Sequence, residues 1–182
     1  MESFHDRRGT FLVKRFDRNG NRRIHFSSAM NLLGQTDGNV DAGYLDIVSF
    51  IRSYGASPRE DLAELWKRVV FSIAVSNTDD HLRNHGFLLT EGGWRLSPMY
   101  DVNPSIYGDS LSLAITREDT TMDFNLALDT AKYYDISKER ALSIVKEIKE
   151  IVSEKWEMIA KQCGLDRGAI VRMEPAFSME YK

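Results

Sequence analysis

The chain is poor in the features that mark several classes of protein. Among 182 residues there is one cysteine, Cys163. A single thiol cannot build a disulfide framework, which fits a reducing cytoplasm and argues against a small secreted scaffold. Cys163 falls at the end of a helical pattern and is expected to be a small buried residue. No apolar run approaches the roughly 20 residues that span a bilayer. The opening MESFHDRRG carries charge without the apolar stretch of a secretory signal. Positive charge is not in excess either. Net charge is −3 and the pI is about 5.8, so no basic field calls for direct nucleic-acid binding. Arg7, Arg8, Lys14, Arg15, Arg18, Arg22 and Arg23 do cluster early; the cluster reads as a solvated end before it reads as a local anion-facing surface. None of the 12 glycines falls in a G-x-G-x-x-G or Walker pattern.

Apolar residues make up 42% of the chain, enough for one domain with a core. Residues 10–16 (TFLVKRF) are rich in strand formers and predict a short strand before a turn centred on Asn19-Gly20, with residues 23–26 as its partner. Ser27-Ser28 opens a short helix that Gly34 stops. Asp41 is placed to cap a helix carrying Tyr44, Leu45, Val48 and Ile51 on one face. Ser57-Pro58-Arg59-Glu60 reads as a capping box with proline at the first helical position. The helix it opens carries Leu62, Leu65, Trp66, Val69, Val70, Ile73 and Ala74 and is expected to be central. Then come a polar loop over 77–85, a strand Gly86–Thr90, a turn at Glu91-Gly92-Gly93 and a strand Trp94–Leu96. A further helix is expected over 125–134. Ser137 starts a long one with Leu142, Val145, Ile148, Val152 and Trp156 on its stripe, and a last short helix follows Asp166. The expected fold class is mainly α with a small β-hairpin.

Polar residues gather directly after the central apolar helix: Asn77, Thr78, Asp79, Asp80, His81, Arg83, Asn84 and His85. Loops at the ends of buried elements are where a rigid scaffold mounts chemical groups. Phosphoryl transfer needs a carboxylate to accept or orient a hydroxyl proton, and oxygen ligands to hold Mg²⁺ against phosphates. Protein kinases supply an Asp, an Asn five positions later, and a second Asp beyond a hairpin. Asp79, Asn84, the hairpin 86–96 and Asp101 stand in that order.

Asn-Thr-Asp-Asp-His-Leu-Arg-Asn at 77–84, followed by Leu-Ser-Pro-Met-Tyr-Asp-Val at 96–102, resembles the signature of the HipA-like kinases. These are bacterial serine/threonine kinases of toxin–antitoxin systems. Val13-Lys14-Arg15-Phe16-Asp17-Arg18 is similar to that family's hinge segment. The resemblance implies a protein-kinase-like C-terminal lobe over 1–182, with hinge-region strands in 1–26 and a helical lobe from 27. It implies Asp79 as catalytic aspartate, His81 as its support, and Asn84 and Asp101 as Mg²⁺ ligands. The backbone of Lys14, Arg15 and Phe16 would meet the adenine of ATP. A protein substrate and a helix-turn-helix antitoxin would be the partners.

The family's N-terminal lobe has a glycine-containing phosphate loop and a phosphate-reaching lysine, and neither pattern is found here. The expectation is that this lobe is absent, and that any such partner lobe is separate. Two other readings are open. Asp79, Asp80, His81 and His85 would form a metal-dependent phosphohydrolase site if the two histidines shared a helix face. Alternatively, the chain is a non-catalytic, partner-binding fragment.

Overall fold

The computed structural model describes residues 12–36, 42–180 and 182. Its organising element is the helix over Pro58–Ala74, which is α3 in chain order. Leu62, Leu65, Trp66, Val69, Val70, Ile73 and Ala74 expose no surface at all. A helix buried on more than one stripe must be covered from several sides. Its cover is α2 (Tyr44–Tyr54), α4 (Phe124–Thr130) with the 3-10 turn Ala131–Tyr134, α5 (Lys138–Gln162) and the hairpin strand β5 (Gly93–Leu96). The Trp66 indole donates to the Ala127 carbonyl at 3.1 Å, so even its one polar atom is satisfied.

Pro58 takes the first helical position as expected, but the capping box does not form. The Ser57 hydroxyl makes no capping bond. Glu60 instead meets Arg95 at 2.9 Å, and Asp61 accepts from Arg95 Nε and from the Leu96 N–H. A guanidinium is a stronger partner for these carboxylates than a neutral backbone N–H. The first turn of α3 is thereby tied to β5. Helix α2 is entered through Gly43, whose N–H donates to Asp46 at 2.8 Å. The expected cap, Asp41, lies outside the described residues.

Two small antiparallel sheets accompany the helices. β1 (Arg18–Asn19) and β2 (Arg22–Arg23) close around Gly20, whose φ of 57° is the left-handed geometry such a turn demands. The three-stranded sheet runs β3 (Phe26–Ser28), β4 (Gly86–Thr90), β5, with Ser27 opposite Phe87 and Phe87 opposite Leu96. The strand expected over 10–16 is not formed at residues 12–16, and residues 10 and 11 lie outside the description. Local charge pairing accounts for this. Arg15 and Arg18 both close on Asp17, at 2.6 and 2.7 Å, and curl the segment into a turn. The expected partner strand splits, with Arg22–Arg23 pairing back and Phe26 starting β3.

Ser28 caps the short helix α1 (Ala29–Leu32). Ser137 caps α5, as expected, and Asp166 caps α6 (Arg167–Phe177). The buried stripe of α5 starts one residue before the expected one, at Ala141, and Leu142 is half exposed. Trp156 stacks on Phe177 at 4.5 Å and joins α5 to α6. Cys163 is exposed, contrary to expectation, because it lies just past the end of α5. No helix of the described residues is long and apolar enough to cross a membrane.

Trp66 offers a direct check on the centrality of α3. Trp66→Ala should cost about 3–5 kcal/mol through the cavity it leaves. Trp66→Phe should cost less, about 0.5–1.5 kcal/mol for the lost indole bond, because the Ala127 carbonyl keeps the Thr130 hydroxyl as a donor at 2.7 Å. Urea unfolding should show a lower midpoint with an unchanged slope. A Trp66→Ala midpoint equal to the parent's would contradict this account.

Candidate active site

Helix α3 delivers the chain into the polar loop through Ser76, whose φ is 51°. A non-glycine residue in that region costs about 1–2 kcal/mol and needs fixing by its surroundings. Here the Ser76 hydroxyl donates to the Ala176 carbonyl at 2.9 Å, and its own carbonyl accepts from the Ser105 N–H at 3.0 Å. The Lys182 ammonium donates to the Ala74 and Ala176 carbonyls, at 3.2 and 2.8 Å, covering the end of α3. Burial pushes that amine down to about 8.

Beyond Ser76 the side chains divide between inward- and outward-facing. Asn77 is buried, and its Oδ1 accepts from the Asn103 N–H at 3.1 Å. Asp79 points out, with its side chain 77% exposed and His81 Nε2 at 4.0 Å. Asp80 points in and is 2% exposed. It accepts from the Tyr44 hydroxyl at 2.5 Å, the Ser72 hydroxyl at 3.1 Å and lies 2.9 Å from His85 Nε2. Burial alone would push the Asp80 carboxyl up. His85 beside it, with the two hydroxyls, outweighs burial and holds it below the usual carboxylate range. Burial, then the neighbouring carboxylate, pushes the Tyr44 phenol well above its usual value.

The loop ends in a 3-10 turn over Leu82–Asn84. Asn84 is buried, and its side-chain amide donates to the Asp79 carbonyl at 3.2 Å and towards the Asp101 carbonyl at 3.4 Å. The hairpin β4–β5 folds the chain back so that Asp101 arrives there. Asp101 also has a positive φ, 55°, and its exposed carboxylate accepts from the Asn103 amide at 2.8 Å. Asp79, Asn84 and Asp101 are therefore neighbours. Their three side chains offer oxygen donors, and Asn84 Oδ1 is not spent on any bond among the described residues.

Of Lys14, Arg15 and Phe16, the residues expected at the hinge, Phe16 reaches this region. Its ring lies 5.7 Å from Phe26 and 5.8 Å from Tyr100, next to Asp101 in the chain. The Tyr100 hydroxyl donates to the Arg83 carbonyl at 2.6 Å, and burial pushes the phenol up to about 12. Lys14 is exposed, and Arg15 is engaged by Asp17. Gly86 makes room for this aromatic group, since a Cβ there would run into the Phe26 ring.

The quartet Asp79, Asp80, His81 and His85 does not converge. Asp80 and His85 face the interior and bind each other, while Asp79 faces out. Among the described residues no three His, Cys, Asp or Glu side chains come together as a metal-ion cluster. Among the described residues His81 makes no hydrogen bond that fixes Asp79, and its buried Nδ1 has no partner. Two buried partners of the loop were not singled out from the sequence as part of this site, Tyr44 and Ser72. A hydroxyl inside an apolar helix face, as at Ser72 among Val69, Val70 and Ile73, is the signal that points to them.

The HipA-like C-terminal domain family profile matches residues 1–156. "Putative kinase Y4mE" of Sinorhizobium fredii is 25% identical over 85% of this chain, and "Putative kinase Y4dM" of the same organism is 26% identical over 80%. A "Putative kinase" of Haemophilus influenzae is 27% identical over 50%. The matches cover 34%, 37% and 29% of those relatives, so the chain spans about a third of their length. Among solved structures, HipA of Shewanella oneidensis, in a toxin–antitoxin complex with HipB and operator DNA, has the same fold. Its TM-score is 0.74 at 17% identity, over 91% of this chain and 46% of that one.

The Asp80 environment predicts an acid limb in stability. Its folded pKa is depressed, so its contribution is complete above the unfolded carboxylate value of about 4. That contribution is lost as pH falls through the lower folded value. Denaturation midpoints measured from pH 7 to about pH 3 should fall less steeply in Asp80→Asn than in the parent. Equal acid slopes would mean that Asp80 is not held ionised by its neighbours.

Proposed function

The chain belongs to the HipA-like C-terminal domain family, and we propose that it is the catalytic lobe of a protein serine/threonine kinase. The reaction is transfer of the γ-phosphate of ATP to a Ser or Thr hydroxyl of a protein. The observation that carries this reading is the Asn84 amide, shared between the carbonyls of Asp79 and Asp101. It joins a base candidate on one loop to a metal-ligand candidate on another. The kinase names of the Sinorhizobium and Haemophilus relatives support the same class of chemistry.

The exposed Asp79 carboxylate accepts the proton of the attacking hydroxyl. General bases of this kind contribute about 10²–10⁴-fold in rate. Asn84 Oδ1 and the Asp101 carboxylate are hard oxygen donors, the set that suits Mg²⁺. Bound there, Mg²⁺ would neutralise charge on the β- and γ-phosphates of ATP. The aromatic wall of Phe16, Phe26 and Tyr100 suits one face of the adenine, with the Lys14–Phe16 backbone at its edge. His81 lines the loop beside Asp79. Arg15 orients the hinge turn through Asp17. The remaining nucleotide contacts come from an N-terminal lobe of the kinase type. The chain's role is that of the toxin of a toxin–antitoxin module in the bacterial cytoplasm. Its partner is a helix-turn-helix antitoxin, by analogy with the HipA–HipB complex of Shewanella. At a net charge of −3, contact with DNA runs through that antitoxin.

The test is phosphotransfer to protein by this chain supplied with a nucleotide-binding N-terminal lobe. Asp79→Asn should lower the rate about 10²–10⁴-fold with Mg²⁺–ATP binding retained. Asp101→Asn and Asn84→Ala should weaken Mg²⁺–ATP binding as well as the rate. An active pair whose rate is unmoved by Asp79→Asn or Asp101→Asn overturns the assignment. Partner binding with no ATP turnover would favour a non-catalytic fragment instead.

A further inference from the structure

Asp79 has no close side-chain bond to aim it, because His81 stands at 4.0 Å and nothing nearer is recorded among the described residues. Its direction is therefore inherited from the backbone on either side. On the C-terminal side lies Asp80, and a carboxylate at 2% exposure is an expensive residue to place beneath a surface loop. An apolar side chain of similar size would fill the same space without that cost. What the carboxylate provides is direction. Tyr44 approaches it from α2, Ser72 from α3, and His85 from the chain entering β4. Three partners on three elements fix its position in three dimensions. His85 lies next to Asn84, so the same anchor also fixes the far end of the loop.

We propose that Asp80 is the positioning residue of this site, an inward carboxylate whose bonds to Tyr44, Ser72 and His85 set the backbone from which Asp79 projects. The inference rests on the phosphoryl-transfer reading of Asp79. The two neighbouring carboxylates face opposite ways, Asp80 inward at 2% exposure and Asp79 outward with its side chain 77% exposed, so fixing Asp80 fixes the backbone from which Asp79 projects. A displacement of about 1 Å at a reacting group costs about 10²-fold in rate. Loosening the anchor should therefore be felt at Asp79 before it is felt in nucleotide binding.

Two variants and two readouts test this. Asp80→Asn removes the charge at nearly constant shape. Tyr44→Phe removes one donor and keeps the ring, and it serves if Asp80→Asn fails to fold. In amide hydrogen exchange on the chain itself, either variant should speed exchange at residues 77–84 by tenfold or more. Exchange in the middle of α5 should change far less. In phosphotransfer with the N-terminal lobe supplied, Tyr44→Phe should lower kcat about tenfold, and Asp80→Asn about 10²-fold. KM for ATP should stay within about threefold in both. In an Asp79→Asn background neither variant should lower the residual rate further, because a residue acting through Asp79 has nothing left to position. Equal losses with and without Asp79, or unchanged exchange at 77–84, would overturn the inference while leaving the kinase reading intact. If Asp79→Asn itself leaves the rate unaltered, the kinase reading fails, and the positioning role falls with it.

Discussion

The structure depends on the burial of α3. A helix with Leu62, Leu65, Trp66, Val69, Val70, Ile73 and Ala74 all fully covered cannot slide or rotate without opening the core. Each element around it is docked against a side that cannot change. Its C-terminal end is consequently a fixed point, and the loop that follows starts from known coordinates. Ser72, two residues before that end, turns the fixed point into a polar contact by reaching Asp80. The same helix start is pinned by Glu60 and Asp61 to Arg95, which sets the hairpin. One helix thus locates both strands of chain that meet at Asn84.

Backbone strain marks the two approaches to that meeting point. Among the described residues, positive φ outside glycine occurs at Ser76, Asp101 and Asp135. Asp135 ends a 3-10 turn, where such geometry is ordinary. The other two stand at the entry to the polar loop and at the carboxylate beyond the hairpin. Both are held by hydrogen bonds from the opposite segment: Ser105 N–H to Ser76, and the Asn84 amide to Asp101. Each segment stabilises the strained residue of the other. Strain that persists because its surroundings over-determine it is the pattern expected of a pre-organised site.

Much of this was legible in the residues themselves. The strand Gly86–Thr90, Pro58 at the start of α3 and Ser137 before α5 are local signals, and the structure keeps them. The neighbourhood of Asp79, Asn84 and Asp101 was legible because a hairpin's return is dictated by its turn. What was not legible depends on competition between partners. Glu60 had two options, a backbone N–H or Arg95, and only the folded chain brings Arg95 near. Residues 12–16 have strand composition but pair with no strand among the described residues, while Asp17 lies within reach of two arginines. Asp79 and Asp80 are chemically identical in the sequence. Which one faces water is decided by Tyr44, 36 residues before Asp80 and on another helix.

That last distinction bears on how a polar loop should be read. Counting its carboxylates and histidines suggests a metal cluster; following their bonds divides them into two groups. Asp80 is spent on His85 and on two buried hydroxyls, in a place where an ionised carboxylate survives only if its oxygens are satisfied, while the buried His85 Nδ1 has no partner among the described residues. Asp79, Asn84 Oδ1 and Asp101 retain oxygen atoms that the fold itself does not consume. A site must hold groups that the structure needs and groups that it leaves over. Here the two sets alternate along the same few residues, so the needed set aims the free one.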